Sequence, residues 1–154
     1  MALRTTMFTF LMVNEGTASS ANWTKVADIK DYPDIIPAPS GVEFTSLSNT
    51  ARVYRPGLAD TPDNFPFTCN YDRAVVARCK ALEGSEKEYA VWFGGTPGAT
   101  VNDAPTPTGA DGRVEFNGQL TVALPGKGVN DPHEFTVNIM PSTEPRLVTD
   151  GTTL

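Results

Sequence analysis

Residues Arg113-Val114-Glu115-Phe116-Asn117-Gly118-Gln119-Leu120-Thr121-Val122 alternate polar and apolar side chains through ten positions. A period of two puts Val114, Phe116, Leu120 and Val122 on one face of an extended chain, so the segment reads as one long half-buried strand. Gly118 interrupts the series without shifting its phase, which predicts a bulge or bend within the strand. Working back from it, Tyr89-Ala90-Val91-Trp92-Phe93 is a continuous apolar run closed by Gly94-Gly95, the pattern of a buried strand. Working forward, Pro125-Gly126-Lys127-Gly128 turns the chain and His133–Met140 supplies a last strand.

The remainder follows the same grammar. Residues 4–13 read as a first strand, stopped by Asn14-Glu15-Gly16, although the apolar run at Met7–Val13 also mimics a short secretion signal. Trp23-Thr24-Lys25-Val26-Ala27-Asp28-Ile29 and Val42-Glu43-Phe44-Thr45-Ser46-Leu47 alternate like half-buried strands. Phe65–Cys69 is a short strand whose Pro66 suits an edge. Two stretches, Ser48–Pro62 and Thr96–Gly112, read as long loops, and the chain from about residue 141 reads as a polar arm. One helix is expected from about Tyr71 to Glu83. Val75, Val76, Cys79 and Leu82 fall on one face, Asn70 is the candidate N-cap and Gly84 the stop. The fold class is therefore mainly β: a single domain of 154 residues, a two-sheet β-sandwich or barrel with one flanking helix.

Composition narrows the function. The net charge is −6 and no two basic residues adjoin, so nothing resembles the clustered cations that grip phosphates. One histidine, His133, rules out a two-histidine metal site and leaves a Ser/His/Asp triad without a placed serine. Gly126-Lys127-Gly128 lacks the helix that a phosphate loop opens. Asp28, Asp31 and Asp34 lack the glycine and terminal glutamate of a calcium loop, and Glu83/Glu86 and Asp60/Asp63 read as solvated charge. Cys69 and Cys79 form no zinc pattern and are compatible with packing thiols or with a disulfide. Asn22-Trp23-Thr24 matches a glycosylation sequon, which has meaning only on secretion. No catalytic residue, metal or cofactor is expected.

Two ordered series carry a resemblance. Lys30-Asp31-Tyr32-Pro33, then Glu43-Phe44-Thr45-Ser46-Leu47-Ser48, then Arg52-Val53-Tyr54-Arg55-Pro56-Gly57-Leu58, then Phe67-Thr68-Cys69-Asn70-Tyr71-Asp72 make up the first. Val114–Gly118, Gly128-Val129-Asn130-Asp131 and Val137–Ser142 make up the second. Together, over about residues 22–147, they resemble the tail tube proteins of long-tailed, siphovirus-like bacteriophages. Thr143-Glu144 departs from that pattern, where a glycine usually follows the final Pro-Ser. The resemblance implies a non-enzymatic virion subunit that forms hexameric rings, stacked into a tube. DNA crosses the lumen without sequence-specific binding, the tape measure protein fills it beforehand, and tail completion and baseplate proteins cap it. No membrane is involved, and assembly takes place in the host cytoplasm. Inter-ring or inter-subunit contacts are expected at Ser48, Asn49, Arg52, Tyr54, Arg55, Pro56 and Gly57, with Arg52 and Arg55 as charge partners. The competing reading is a monomeric β-sandwich that binds a carbohydrate or receptor, with Trp23 as its main exposed aromatic.

Overall fold

The computed structural model describes residues 7–17, 19–149 and 152–153. In chain order the elements are β1 (Thr9–Asn14), β2 (Trp23–Ala27), β3 (Ile29–Asp31), β4 (Gly41–Glu43), β5 (Tyr54–Pro56) and β6 (Phe65–Asn70). They continue with α1 (Arg73–Leu82), β7 (Glu86–Thr96), β8 (Thr106–Ala123), β9 (Glu134–Pro141), β10 (Arg146–Thr149) and β11 (Thr152–Thr153). The main sheet runs β2-β1-β7-β8-β9-β6-β3, every neighbour antiparallel. β2 and β3, its two ends, are joined by Asp28 alone, whose carbonyl accepts from the Asn70 amide. One stretch of chain thus serves both edges and the sheet closes into a barrel. The closure runs through the chain and not through a ladder, since no pairing joins β2 to β3, and β11, which pairs only with β10, remains an edge.

The long alternating strand is the hinge of this barrel. β8 pairs with β7 through Gln119 and with β9 from Gly118 onward, so both halves of the sheet share it. Its inward set meets the inward sets of β6 and β9 in one core, with Phe116 edge-on to Phe65 at 5.0 Å and tilted to Tyr89 at 6.4 Å. Gly118 is not a bulge: a Cβ there would sit 2.5 Å from the Met140 carbonyl oxygen, so the glycine permits close approach of β9. The irregularity lies earlier, between Phe93 and Gly95, where the partner jumps from Gly112 to Pro107. Gly109 and Gly112, at φ 64° and 118°, carry the excess residues in conformations side chains avoid.

β1 and β7 are buried on both faces. Outside the barrel, Phe10, Met12, Ala90 and Trp92 form a second apolar cluster with Phe8 and Trp23. The Trp23 and Trp92 rings stand 5.8 Å apart, and the Arg113 guanidinium lies 4.4 Å from the Trp92 ring centroid. Trp92 is therefore buried, but in this outer cluster, and Trp23 is half-buried against it rather than a free aromatic platform.

α1 packs Cys79, with Val75, Val76 and Leu82, against the core, on the face expected. Its N-cap is Asp72, not Asn70: the Asp72 carboxylate accepts from the Ala74 amide at 2.9 Å, while Asn70 is still held in β6 by Glu134. The chain leaves the helix through Glu83 and Gly84, the latter at φ 82°. Four further expectations are corrected. Only three residues of the Val42–Leu47 series lie in or beside a ladder as strand β4 with Gly41, and they are exposed. The Ser48–Pro62 loop contains β5. The Thr96–Gly112 loop shrinks to Pro97–Pro105 because β7 and β8 extend beyond the core. Past Pro141 the chain returns as β10, whose Arg146–Val148 pair with Arg113–Glu115 of β8, so this part of the expected arm is sheet. Of the expected first strand 4–13, residues 4–6 lie outside the described ones, and the ladder begins at Thr9.

Cys69 and Cys79 are both buried free thiols. Burial, with the neighbouring Cys79 second, pushes the Cys69 thiol up to about 12, and burial likewise raises Cys79. Both stay protonated packing groups near neutral pH.

Candidate assembly surface

The feature that stands apart from the barrel is the hairpin β4–β5, a two-stranded sheet of its own. Its partners are Gly41↔Pro56, Val42↔Arg55 and Glu43↔Tyr54. Gly57 donates to the Ser40 carbonyl at 2.7 Å, closing the base, and Phe44 donates to the Val53 carbonyl at 2.7 Å, extending the pairing by a step. Asn49 organises the tip, its Oδ1 accepting from the Ser46 amide at 2.7 Å and the Ser46 hydroxyl at 2.8 Å. Pro33, Pro37 and Pro39 stiffen the approach from β3.

Opposite residues of a ladder point the same way, so Val42, Phe44, Val53 and Arg55 share one face and Glu43 and Tyr54 the other. The Arg55 guanidinium lies 5.6 Å from the Phe44 ring centroid. Phe44 on this face is 58% exposed, Tyr54 on the other face 56%, and Leu47 toward the tip fully so. An isolated two-stranded ribbon is marginal in water, and a ribbon that also displays aromatic and aliphatic side chains gains from being covered.

The seven residues singled out from sequence all lie on this hairpin. Ser48 and Asn49 form the tip, Tyr54, Arg55 and Pro56 are β5, and Gly57 closes the base. Arg52 is exposed and makes no ion pair or hydrogen bond among the described residues. Sequence reading took the other strand for a half-buried one: Val42 and Phe44 alternate with polar residues as a core-facing strand would, and only the prolines before them hint that the segment leaves the core.

Strand directions place the hairpin. β3 ends and β6 begins at the barrel end where β7 ends and β8 begins, and the hairpin connects the two there. The other connecting segments at this end, residues 32–40, 58–64, 97–105 and 142–145, hold Asp34, Asp60, Asp63, Asp103 and Glu144 and no Lys or Arg. The opposite end carries α1 and the 124–133 turn, with Arg73, Lys80, Lys87 and Lys127 among its acids. The molecule is therefore polar along its barrel axis.

Other charged groups serve the barrel. Asp28 pairs with Lys25 at 2.6 Å, and Asp31 accepts from the Tyr32 amide. Glu83 is held below the usual carboxylate range by Lys80 and then by the Val122 amide. Glu134 is held low by Lys30 and Lys127, which reach it from either side. His133 lies against Tyr71 with the rings tilted at 55° and 5.3 Å between centroids. A recess of about 460 Å³ lies beside the base of the hairpin, lined by Tyr32, Ile35, Ile36, Phe93 and Val114. It is mostly apolar, with Asp34 as its one acid and no acid–base pair.

No protein-family model matches this chain, and no curated protein matches it.

Proposed function

We propose that this protein is a self-associating structural subunit, a closed β-barrel that joins copies of itself through a projecting hairpin. In particular, it is a tail tube subunit of a long-tailed bacteriophage. Hexameric rings stack into a tube that holds the tape measure protein and later conducts DNA. The observation that carries this reading is the hairpin 41–57, which leaves the barrel with exposed Phe44, Leu47 and Tyr54 and two cations, Arg52 and Arg55. The hairpin lies outside the main sheet, so its own edges and its exposed side chains are available to meet another copy.

The axial polarity favours head-to-tail stacking. Contact between two hairpin ends would set the five carboxylates of one copy's connecting segments against the same five of another. Contact with the opposite end meets Arg73, Lys80, Lys87 and Lys127 interspersed with acids, a less repulsive pairing. A heterologous contact of this kind repeats without limit, which is what a filament or tube requires. Trp23, the aromatic that a monomeric binding module would use, is engaged with Trp92.

Negative-stain electron microscopy across a concentration series tests the proposal. Tubes or stacked rings with a central hole are expected. A protein that stays monomeric throughout, alone and with a tail initiator complex, would overturn it.

A further inference from the structure

The connecting segments at the hairpin end of the barrel surround an apolar saddle rimmed by carboxylates. Ile35 is buried there and Ile36 is 54% exposed. On one side of them lies the recess of about 460 Å³, where the Tyr32 and Phe93 rings meet edge-on at 6.2 Å and Asp34 is the acid. On the other side is a small cleft that Asp60 and Glu144 help to line. Asp34, Asp60 and Glu144 are all exposed and make no ion pair or hydrogen bond among the described residues. The connecting segments around them supply no Lys or Arg.

The hairpin carries the complement. Arg52 is unpaired among the described residues, and Arg55 has the Phe44 ring but no carboxylate. Phe44 and Leu47 add exposed apolar surface. Neither half of this match is used within one molecule. Leu47 lies six residues beyond Gly41, up to about 20 Å along an extended ribbon. With the β4–β5 ladder intact, the tip does not fold back onto the saddle at its own base, and Leu47 is fully exposed.

Resting on the reading that the hairpin joins copies, we infer that its tip docks on the Ile35–Ile36 saddle of a neighbouring copy standing alongside. Phe44 and Leu47 cover the apolar surface, and Arg52 and Arg55 meet Asp34, Asp60 and Glu144. Charge decides between the two ends of the neighbour. The α1 end mixes Arg73, Lys80, Lys87 and Lys127 with its acids, so it offers the arginines like charges as well as partners. The connecting segments of the saddle end offer carboxylates alone. Giving and receiving patches differ, so the contact is heterologous, and repeated about an axis it closes a ring.

Cysteine cross-linking between tagged and untagged copies tests this. Ser48→Cys beside the tip, and Ala38→Cys or Ala59→Cys on the two sides of the saddle, leave the arginines, carboxylates and apolar anchors in place. All three positions are exposed, so each variant should keep the parent's urea midpoint. The buried Cys69 and Cys79 give the background. In assembled protein a short bismaleimide should join Ser48→Cys copies to Ala38→Cys or Ala59→Cys copies, and not to copies carrying Ala77→Cys on the exposed side of α1. Joining to Ala77→Cys would seat the hairpin on the opposite end, and Ser48→Cys copies joined only to each other would make the contact hairpin to hairpin. Either result overturns the inference and leaves self-association standing, as would assembled protein that gives no cross-link at all. Charge reversal is the second measurement. Arg52→Asp with Arg55→Asp should raise the concentration at which assembly begins by about tenfold or more, and adding Asp34→Arg with Asp60→Arg should bring it back. No effect, or no recovery, overturns the pairing. An unsubstituted protein that stays monomeric, alone and with a tail initiator complex, would instead remove the reading that the hairpin joins copies.

Discussion

Val114–Val122 and Val42–Leu47 are written alike, polar and apolar in alternation, yet one is the spine of the core and the other stands in solvent. In β8 the apolar set is buried against two neighbouring strands; in the hairpin, Val42, Phe44 and Leu47 meet no more than the opposite strand of the ribbon. Alternation reports that a segment has two chemically different faces. It does not report whether the partner of the apolar face belongs to the same chain. In the barrel that partner is intramolecular and the stabilisation appears in folding. In the hairpin it is proposed to be another copy, and the stabilisation appears in assembly.

The comparison breaks first if core and hairpin substitutions behave alike. Phe116→Ala opens a cavity between Phe65 and Tyr89 and should cost about 3–5 kcal/mol, read as a lower midpoint in urea denaturation. Truncating the hairpin should do the reverse. Replacing Phe44–Val53 by an Asn-Gly turn keeps β4 and β5 paired, whereas removing Ser48–Gly57 would leave β4 without its ladder. The truncated protein should unfold within about 0.5 kcal/mol of the parent, as surface changes do, and lose its tubes under the microscope. A truncation that destabilises like Phe116→Ala would make the hairpin part of the fold. One that leaves tubes unchanged would refute its part in assembly.

A third test probes the end of the barrel opposite the hairpin. Asp72→Ala removes the side-chain acceptor at the start of α1 and should cost about 1 kcal/mol in thermal or urea unfolding. Asn70→Ala should cost less, because Asn70 contributes to β6 through its backbone.

These residues also mark where sequence reading stops. The helix was legible because Val75, Val76, Cys79 and Leu82 define its apolar face without help from the rest of the chain. Asn70 and Asp72 are both good caps, and the choice depended on how far the β6 ladder continued, a fact held by Glu134 in a distant strand. β5 was illegible because Arg52, Arg55 and Pro56 give an exposed strand no apolar signature. β10 is four residues long and is specified by its partner in β8. The reach of β7 and β8 past Gly94 was hidden because Gly109 and Gly112 read as loop residues, although their positive φ values are what let the two strands stay paired with unequal lengths. The segment bearing the candidate contacts was visible, from Ser48 to Gly57; its other half was taken for core.

The smallest effect concerns charge at the same end of the barrel. Glu134 joins β9 to β3 through Lys30 and to the 124–133 turn through Lys127. Those two ammonium groups hold its carboxyl below the usual range, so the folded state holds its proton more weakly than the unfolded chain, where a glutamate titrates near ~4.3. The sign follows. The contribution is present above that unfolded value and is lost as pH falls through the lower folded one. Glu83, lowered by Lys80 and the Val122 amide, acts in the same direction. Glu115 acts oppositely: burial, then Glu88, raises it, so its share of stability grows as the acid range is entered from neutral. Glu134→Gln should therefore leave the barrel folded and flatten the fall of stability with acidification below about pH 4.3. The measurement is the urea midpoint at a series of pH values for parent and variant. Because both lysines are partly exposed, the difference should shrink in high salt. If the two profiles run parallel, the Lys30–Glu134–Lys127 bridge contributes nothing to the barrel.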